Sequence, residues 1–242
     1  MSRTLRRFQQ RCASSVQELG YHSHTLWLFT VSDHKSFMLP MASAGLFNFI
    51  AGPILNAVPT RTPSLLYALS RVWVVVFWVW VNLLVACVGN QRRPSSVSED
   101  AINKPWRPVP AGRLSPDRAT LLWKALHFVA PVSGFYLGAL PSTVALLAMG
   151  YLYNVLDGAD HLVFRNLLNA CGAVTFVFGG TTVAYARESF SMNTSAVQWH
   201  CMICGILFTT IQIQDLRDQE GDKERERSTI PVLFGDKIGR WT

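Results

Sequence analysis

The chain has 242 residues, of which 50% are apolar and 15% are charged. A soluble domain typically carries about 25% charged residues, and the mean hydropathy here is +0.21, so the composition excludes an ordinary soluble domain and indicates an integral membrane protein. A formal net charge of +7 would suggest nucleic-acid binding in a soluble protein. Because the charges follow a membrane-topology pattern instead, we expect no nucleic-acid partner.

The N-terminal segment, residues 1–24, is rich in arginine and has no apolar core of the kind found in secretory signals. We interpret it as a cytosolic tail. A mitochondrial transit sequence is the alternative, since such sequences are also rich in arginine and poor in acidic residues.

Six apolar stretches follow, and each is close to the length of about 20 residues that a membrane helix needs. They are residues 36–60, residues 72–91, two stretches within residues 119–156, residues 166–186 and residues 189–214. In the fifth, Gly172, Gly179 and Gly180 are expected to allow close helix contact. The predicted fold is an all-α polytopic transmembrane helical bundle, with residues 1–242 forming a single membrane-embedded domain.

The distribution of basic residues predicts the orientation of the bundle. If the six spans alternate, most of the 22 lysines and arginines fall on the side of the N-terminus, which the positive-inside rule identifies as cytosolic. We expect the endoplasmic reticulum membrane. The sequon at Asn193, Thr194 and Ser195 then lies in a lumenal loop, where Asn193 is a candidate glycosylation site.

A cluster of carboxylates, Asp215, Asp218 and Asp222, follows the sixth span directly. On a continuing helix these three side chains would share one face. Like charges at that spacing repel each other, so a cation is expected beside them, and hard oxygen ligands suit Mg²⁺. The alternative is a solvated helix end just outside the membrane.

The loop after the second span, residues 90–118, is the other polar stretch, and it is stiffened by Pro105, Pro108 and Pro110. Its chemistry-bearing residues are Asn90, Glu99, Asp100, Lys104, Arg107 and Arg113. Carboxylate and amide oxygens can hold a metal, while Lys and Arg can hold phosphate oxygens. The alternative is a surface loop that binds anionic lipid headgroups. Since both polar stretches emerge on the same face of the membrane, they can share one site.

Together these motifs resemble those of the UbiA superfamily of membrane prenyltransferases and terpene cyclases. The resemblance is carried by residues 90–91 and 99–113, then by residues 215–222 and 228–235. Residues 32–35, 153–154, 165–166 and Asn169 resemble helix ends of the same family. The resemblance implies a bundle around a lateral cavity, with two acidic motifs at its cytosolic mouth that hold Mg²⁺ on an isoprenoid diphosphate.

The resemblance and the residue chemistry together assign candidate roles. The expected metal ligands are Asn90, Glu99, Asp100, Asp215, Asp218 and Asp222. The expected diphosphate ligands are Lys104, Arg107 and Arg113, with Lys35 and Arg165 as further candidates. No side chain is assigned a catalytic role beyond these two sets.

Two features depart from the usual family pattern. The places four and eight residues after Asn90 hold Pro94 and Ser98, so the acids have moved to Glu99 and Asp100. This arrangement resembles a fungal branch that includes UbiA-type terpene cyclases. The family usually has nine helices, and 28 residues follow Gln214, so we expect the C-terminal helices of the family to be missing.

We therefore expect a Mg²⁺-dependent terpene cyclase of secondary metabolism that ionises and closes a prenyl diphosphate, with farnesyl diphosphate and a sesquiterpene product favoured. The first alternative is a prenyltransferase that passes the chain to an aromatic acceptor. A more remote alternative is a cation transporter. Transporters place ionisable groups near the bilayer midplane, whereas the clusters here lie at span ends.

Overall fold

The computed structural model describes residues 3–186, 188 and 190–241, with side chains from residue 14 onward. Across these ranges the chain is helical, and pairing of the β type is limited to an isolated antiparallel bridge between Asn56 and Met192. The prediction of an all-α fold is confirmed.

The α-helices of the described ranges, numbered in chain order, are as follows. They are α1 (Arg3–Thr30), α2 (Leu39–Ile50), α3 (Gly52–Leu55), α4 (Leu65–Gln91), α5 (Pro94–Asn103), α6 (Pro116–Tyr136), α7 (Leu140–Asn154), α8 (Leu162–Tyr185), α9 (Thr194–Thr210), α10 (Gln219–Glu224), α11 (Ile230–Phe234) and α12 (Asp236–Trp241). A π-helical turn, His34–Met38, precedes α2, and short 3-10 turns occupy Val31–Asp33, Gly158–Asp160 and Ile211–Leu216.

Helices α4 and α8 form the centre of the bundle, and α2, α6, α7 and α9 pack around them. Trp78 of α4 is fully buried, and its indole nitrogen donates a hydrogen bond to the Thr143 hydroxyl of α7 at 3.1 Å. A Cβ atom at Gly179 would lie 2.1 Å from the Trp78 ring. The glycine therefore makes room for the largest side chain of the core.

Two glycines of α8 take part in close helix contact and the third does not. A Cβ atom at Gly45 of α2 would lie 3.0 Å from the backbone of Gly180, so α2 and α8 touch through their main chains, and Gly179 accommodates Trp78. At Gly172 an added Cβ would meet nothing within 4 Å. The packing role predicted for Gly172 is therefore wrong, because this residue faces open space.

Each of the six predicted spans contains an α-helix, but the helices do not fill all the spans and they differ in length and composition. Among the described residues, three segments are long and apolar enough to cross a membrane, namely Leu65–Gln91, Leu162–Tyr185 and Thr194–Leu216. The first predicted span is divided between α2 and α3, and α7 has 15 residues. Helix α6 includes Asp117, Arg118 and Lys124, which lower its mean hydropathy.

The N-terminal segment, interpreted from sequence as a tail, is a 28-residue helix in the structure. Helix α1 packs against α4, and its end is held there by hydrogen bonds. The amide of Gln91 donates to the backbone carbonyl of Phe29 at 2.7 Å, and the indole of Trp80 donates to the Thr30 hydroxyl at 3.1 Å. The sequence pattern missed this helix because it lacks a long apolar run.

The segment after α9 is not the continuous helix that the sequence predicts. Helix α9 ends at Thr210, a 3-10 turn carries Asp215, and Asp218 is the N-cap position of α10, which carries Asp222. The expectation of three aspartates on one helical face is therefore wrong, and tertiary contacts place each carboxylate separately.

Asn193, the candidate glycosylation site, has a structural role in the fold. Its side-chain oxygen accepts a hydrogen bond from the Ala196 backbone at 2.9 Å and so caps α9. Its side-chain nitrogen donates to the Ile54 carbonyl at 2.7 Å. Both side-chain atoms of Asn193 thus make hydrogen bonds within the fold, and its glycosylation stays a prediction.

Candidate active site

The two polar stretches identified in the sequence meet in the structure. The ammonium of Lys104 lies 2.6 Å from a carboxylate oxygen of Asp218. The side-chain amide of Asn103 donates to the Asp218 carbonyl at 3.0 Å and accepts from the Gly221 backbone at 3.2 Å. Because a Cβ at Gly221 would lie 2.3 Å from the Asn103 amide, a glycine is required for this approach. The predicted convergence of loop and cluster is confirmed.

The meeting point opens into a cavity of about 290 Å³. Its charged lining residues are Asp33, Glu99, Lys104, Arg107, Arg165, Asp215, Asp218 and Arg227, and its uncharged polar lining includes Asn90, Gln91, Asn154 and Gln214. Much of the remaining wall is apolar and comes from α4, α7, α8 and the turn before α2, including Phe37, Leu146, Leu147, Met149 and Phe176. A charged wall next to a hydrocarbon-lined space suits an amphiphilic ligand with an anionic head.

Arg165 and Asp215 form a two-point ion pair at this wall. One guanidinium nitrogen of Arg165 donates to Asp215 Oδ2 at 2.8 Å, and the other pairs with Asp215 Oδ1. Both side chains are buried. This fork geometry is the strong form of an arginine–carboxylate contact. Arg165, predicted as a diphosphate ligand, therefore also orients an expected metal ligand.

Two arginines that follow the acidic cluster, Arg225 and Arg227, hold the other carboxylates. Arg225 donates to Glu99 at 3.0 Å and to Asp160 at 2.9 Å. Arg227 lies 3.1 Å from Asp222 and 3.4 Å from Glu99, and it lines the cavity. Their position directly after the acidic cluster was the available signal, but the sequence does not show which carboxylates they reach.

Asp100 and Asp222 are fully buried behind the residues that line the cavity. Arg107 donates to Asp100 at 2.7 Å, and each aspartate has one carboxylate oxygen with no hydrogen-bond partner, Oδ2 in both. Burial raises the pKa of Asp100 to about 6 against the opposing effect of Arg107. Burial likewise raises the pKa of Asp222 to about 6, and Arg227 opposes that shift.

Two predicted diphosphate ligands lie outside the cavity wall. The Arg113 guanidinium stacks over the ring of Tyr21, 4.3 Å from its centroid, and donates to the Thr25 hydroxyl at 3.1 Å. Arg113 thus fastens α1 to the loop. Lys35 is exposed and is likewise absent from the cavity wall. The structure therefore gives neither residue the position that the sequence analysis expected.

The donor chemistry of the site suits a hard divalent ion. Asn90, Glu99, Asp215 and Asp218 all bring oxygen atoms to one cavity, as Mg²⁺ prefers. Within the part of the chain that the structure describes, no group of three His, Cys, Asp or Glu side chains is clustered as a metal site. Each carboxylate is instead paired with Arg or Lys, so a bound ion would take oxygens that these cations now hold.

Comparison with known protein families identifies the class to which this helical bundle belongs. The sequence profile of the UbiA prenyltransferase family matches residues 36–242. The chain belongs to this family, as the motifs predicted, and it is an integral membrane protein.

Two relatives of this chain are named as enzymes of different kinds. A fumagillin β-trans-bergamotene synthase of Aspergillus fumigatus is 32% identical over 220 residues, which is 90% of this chain and 69% of the relative. A digeranylgeranylglyceryl phosphate synthase of Methanothermobacter thermautotrophicus is 32% identical over 145 residues, 57% of this chain and 48% of the relative. The chain thus spans about two thirds of the first relative's length.

Among solved structures, a UbiA homolog from Archaeoglobus fulgidus bound to GPP and Mg²⁺ matches with a TM-score of 0.61. The identity is 17%, and the match covers 90% of this chain and 69% of that one. At this identity the likeness shows that the fold is shared.

Proposed function

We propose that the protein ionises an allylic isoprenoid diphosphate and cyclises the resulting cation to a terpene, with farnesyl diphosphate as the substrate. The observation that carries the proposal is the cavity itself. One wall carries the cations Lys104, Arg107, Arg165 and Arg227, and apolar side chains line much of the remaining cavity. An isoprenyl diphosphate has the same division between an anionic head and a hydrocarbon tail.

Ionisation breaks the bond between the allylic carbon and the diphosphate oxygen. The electron pair leaves with the diphosphate, and the hydrocarbon retains a positive charge. Lys104, Arg107 and Arg227 would stabilise the charge that develops on the leaving group. Asp100 and Asp222 fix Arg107 and Arg227 in position before the reaction.

Mg²⁺ fits the donor set and would neutralise the leaving diphosphate as a Lewis acid. Asn90, Glu99, Asp215 and Asp218 would hold it from the cavity wall. We assign Asp100 and Asp222, the other two expected ligands, a supporting role, since both lie behind that wall and bind Arg107 and Arg227.

The apolar part of the cavity would exclude the water that otherwise quenches the cation. Phe37 and Phe176 meet edge to face there, with ring centroids 5.1 Å apart. Aromatic faces attract cations, so this pair can stabilise positive charge on the hydrocarbon chain.

A transferase that passes the prenyl chain to an aromatic acceptor is the second candidate, favoured by the archaeal relative named above. We place cyclisation first because the bergamotene synthase match extends over 90% of this chain. The uneven distribution of basic residues supports a cavity mouth that faces the cytosol, and we propose the endoplasmic reticulum as the membrane.

The test is to incubate the purified protein with Mg²⁺ and geranyl, farnesyl or geranylgeranyl diphosphate, without any acceptor. We expect a cyclic hydrocarbon, mainly from farnesyl diphosphate, together with free diphosphate. If turnover instead requires an added aromatic acceptor, and the product carries the prenyl chain on that acceptor, the transferase is correct.

A further inference from the structure

Helix α8 presents one face to the cavity from its first turn to its middle. Arg165, Leu168, Gly172 and Phe176 all line the cavity and recur at intervals of three or four residues, which places them on one helical face. At a rise of 1.5 Å per residue, Gly172 lies about 10 Å and Phe176 about 16 Å along the axis from Arg165. Gly172 therefore lies between the charged wall and the aromatic pair.

The lack of a side chain at Gly172 leaves space in the cavity rather than in a helix contact. An added Cβ would meet nothing within 4 Å there, whereas at Gly179 on the same helix it would meet Trp78 at 2.1 Å. Glycine weakens a helix relative to alanine, and at Gly172 no packing contact compensates for that. What the glycine provides is open volume.

Gly150 of α7 has the same two properties. It lines the cavity, and an added Cβ would also meet nothing within 4 Å. It lies one helical turn from Tyr153, which stands beside Arg165, so it is about 5 Å from the charged wall along α7. The two open glycines therefore lie on neighbouring helices at two depths.

We propose that Gly172 determines the length of isoprenoid chain that the cavity admits, and that Gly150 keeps open the part of the cavity that chains of every length occupy. This inference rests on the proposed use of a prenyl diphosphate. A side chain at either position would occupy part of a cavity of about 290 Å³ without disturbing a packed neighbour. A side chain at Gly172 would obstruct the far part of the hydrocarbon, and one at Gly150 would obstruct a part closer to the diphosphate.

The test measures binding of unreactive thiodiphosphate analogues of geranyl, farnesyl and geranylgeranyl diphosphate to the purified protein with Mg²⁺. Gly172→Leu should weaken binding of the farnesyl and geranylgeranyl analogues by about 10-fold or more relative to the geranyl analogue, the scale at which small changes in apolar pockets discriminate. Gly150→Leu should weaken all three. Gly172→Ala should shift the preference in the same direction as Gly172→Leu but less, and it serves if the leucine variant does not fold.

The matched control is Gly205→Leu. Gly205 is exposed on α9, an added Cβ there would also meet nothing within 4 Å, and it lies outside the cavity wall. This variant should bind the three analogues like the parent protein, with a similar melting temperature.

The inference is overturned for Gly172 if its two variants keep the parent's ratios of affinity among the three analogues, and for Gly150 if Gly150→Leu binds all three like the parent. If the parent binds none of the analogues, the inference fails together with the proposed function. It stands if the preference shifts as stated while no acceptor-free hydrocarbon forms, in which case cyclisation alone is refuted. Acceptor-free product combined with an unchanged preference would refute the role of the glycines alone.

Discussion

The Lys104 ammonium and the Asp218 carboxylate, 114 positions apart in the sequence, lie 2.6 Å from each other. This ion pair joins the loop after α4 to the segment after α9 at the cavity wall. It also means that Asp218 must exchange one cation for another if it is to hold Mg²⁺ on a substrate.

Asp218→Asn tests the assignment of Asp218 as a ligand. We expect prenyl-diphosphate turnover to fall by at least about 100-fold, the scale seen when one preorganised electrostatic contact is removed, while the protein remains folded in membranes. Turnover is measured as diphosphate released per enzyme. Asp236→Asn, which changes an exposed carboxylate paired with Arg240, should leave turnover unaltered. Parental turnover in Asp218→Asn would contradict the assignment.

Arg227→Met tests whether the arginine stabilises the buried carboxylates. Asp222 is fully buried and would lose its 3.1 Å partner, and an uncompensated buried charge costs about 3–5 kcal/mol. We expect a markedly lower melting temperature in detergent. Arg227→Lys should lower the melting temperature less, because lysine keeps the positive charge although it lacks the fork geometry of arginine.

Arg240→Met is the control for this effect, since Arg240 is an exposed arginine that pairs with an exposed aspartate. Its melting temperature should match that of the parent. Equal melting temperatures for Arg227→Met and Arg240→Met would show that the buried pair does not stabilise the fold.

The raised pKa of Asp222 predicts a pH dependence of stability. Its pKa is about 6 in the folded protein against 3.8 for an ordinary aspartate, so between these values the folded state binds more protons than the unfolded state. The stabilising contribution of Asp222 to the free energy of unfolding is therefore fully present below about pH 4 and is lost as the pH rises through about 6. The melting temperature of the parent minus that of Asp222→Asn, both without Mg²⁺, should therefore fall from about pH 4 to about pH 7. A difference that increases over this range would mean that the pKa is lowered.

Glu226→Gly should stabilise the protein. Glu226 is exposed and has φ 56°, a left-handed conformation that costs a residue with a side chain roughly 1–2 kcal/mol and glycine little. Glycine is also more flexible in the unfolded chain, which offsets part of this gain. We expect the free energy of unfolding, measured by chemical unfolding, to rise by about 0.5 kcal/mol. Glu224→Gly, in the last turn of α10, should lower stability instead. A destabilised Glu226→Gly would disprove the strain.

Gly179→Ala and Gly172→Ala form a pair on one helix. The first places a methyl group 2.1 Å from the Trp78 ring, and such overpacking costs about 1–3 kcal/mol. The second places it in open space and should leave the melting temperature equal or slightly higher. Equal loss in both variants would contradict the distinction between the two glycines.

Much of the candidate site was readable from residue types and their order. Lys104 and Arg107 were predicted to lie beside the acidic residues, and both line the cavity. The sequence could show this because the prolines and cations of that loop are close to one another along the chain. Arg113, six residues further on, was misplaced because its partners, Tyr21 and Thr25, belong to a helix that the sequence did not reveal. The break of the helix at Ile211 was missed because the apolar run continues across it.

The sequence by itself determined the membrane class and the family, because apolar runs and acidic motifs are local patterns. The tertiary structure alone decided which cation meets which carboxylate, since Arg165 reaches Asp215 across 50 positions and Arg227 reaches Glu99 across 128. It also distinguished two glycines of α8 that the sequence treats alike. Gly179 leaves room for the Trp78 ring, whereas Gly172 faces open space. They differ because burial depends on which neighbouring helix lies opposite each residue.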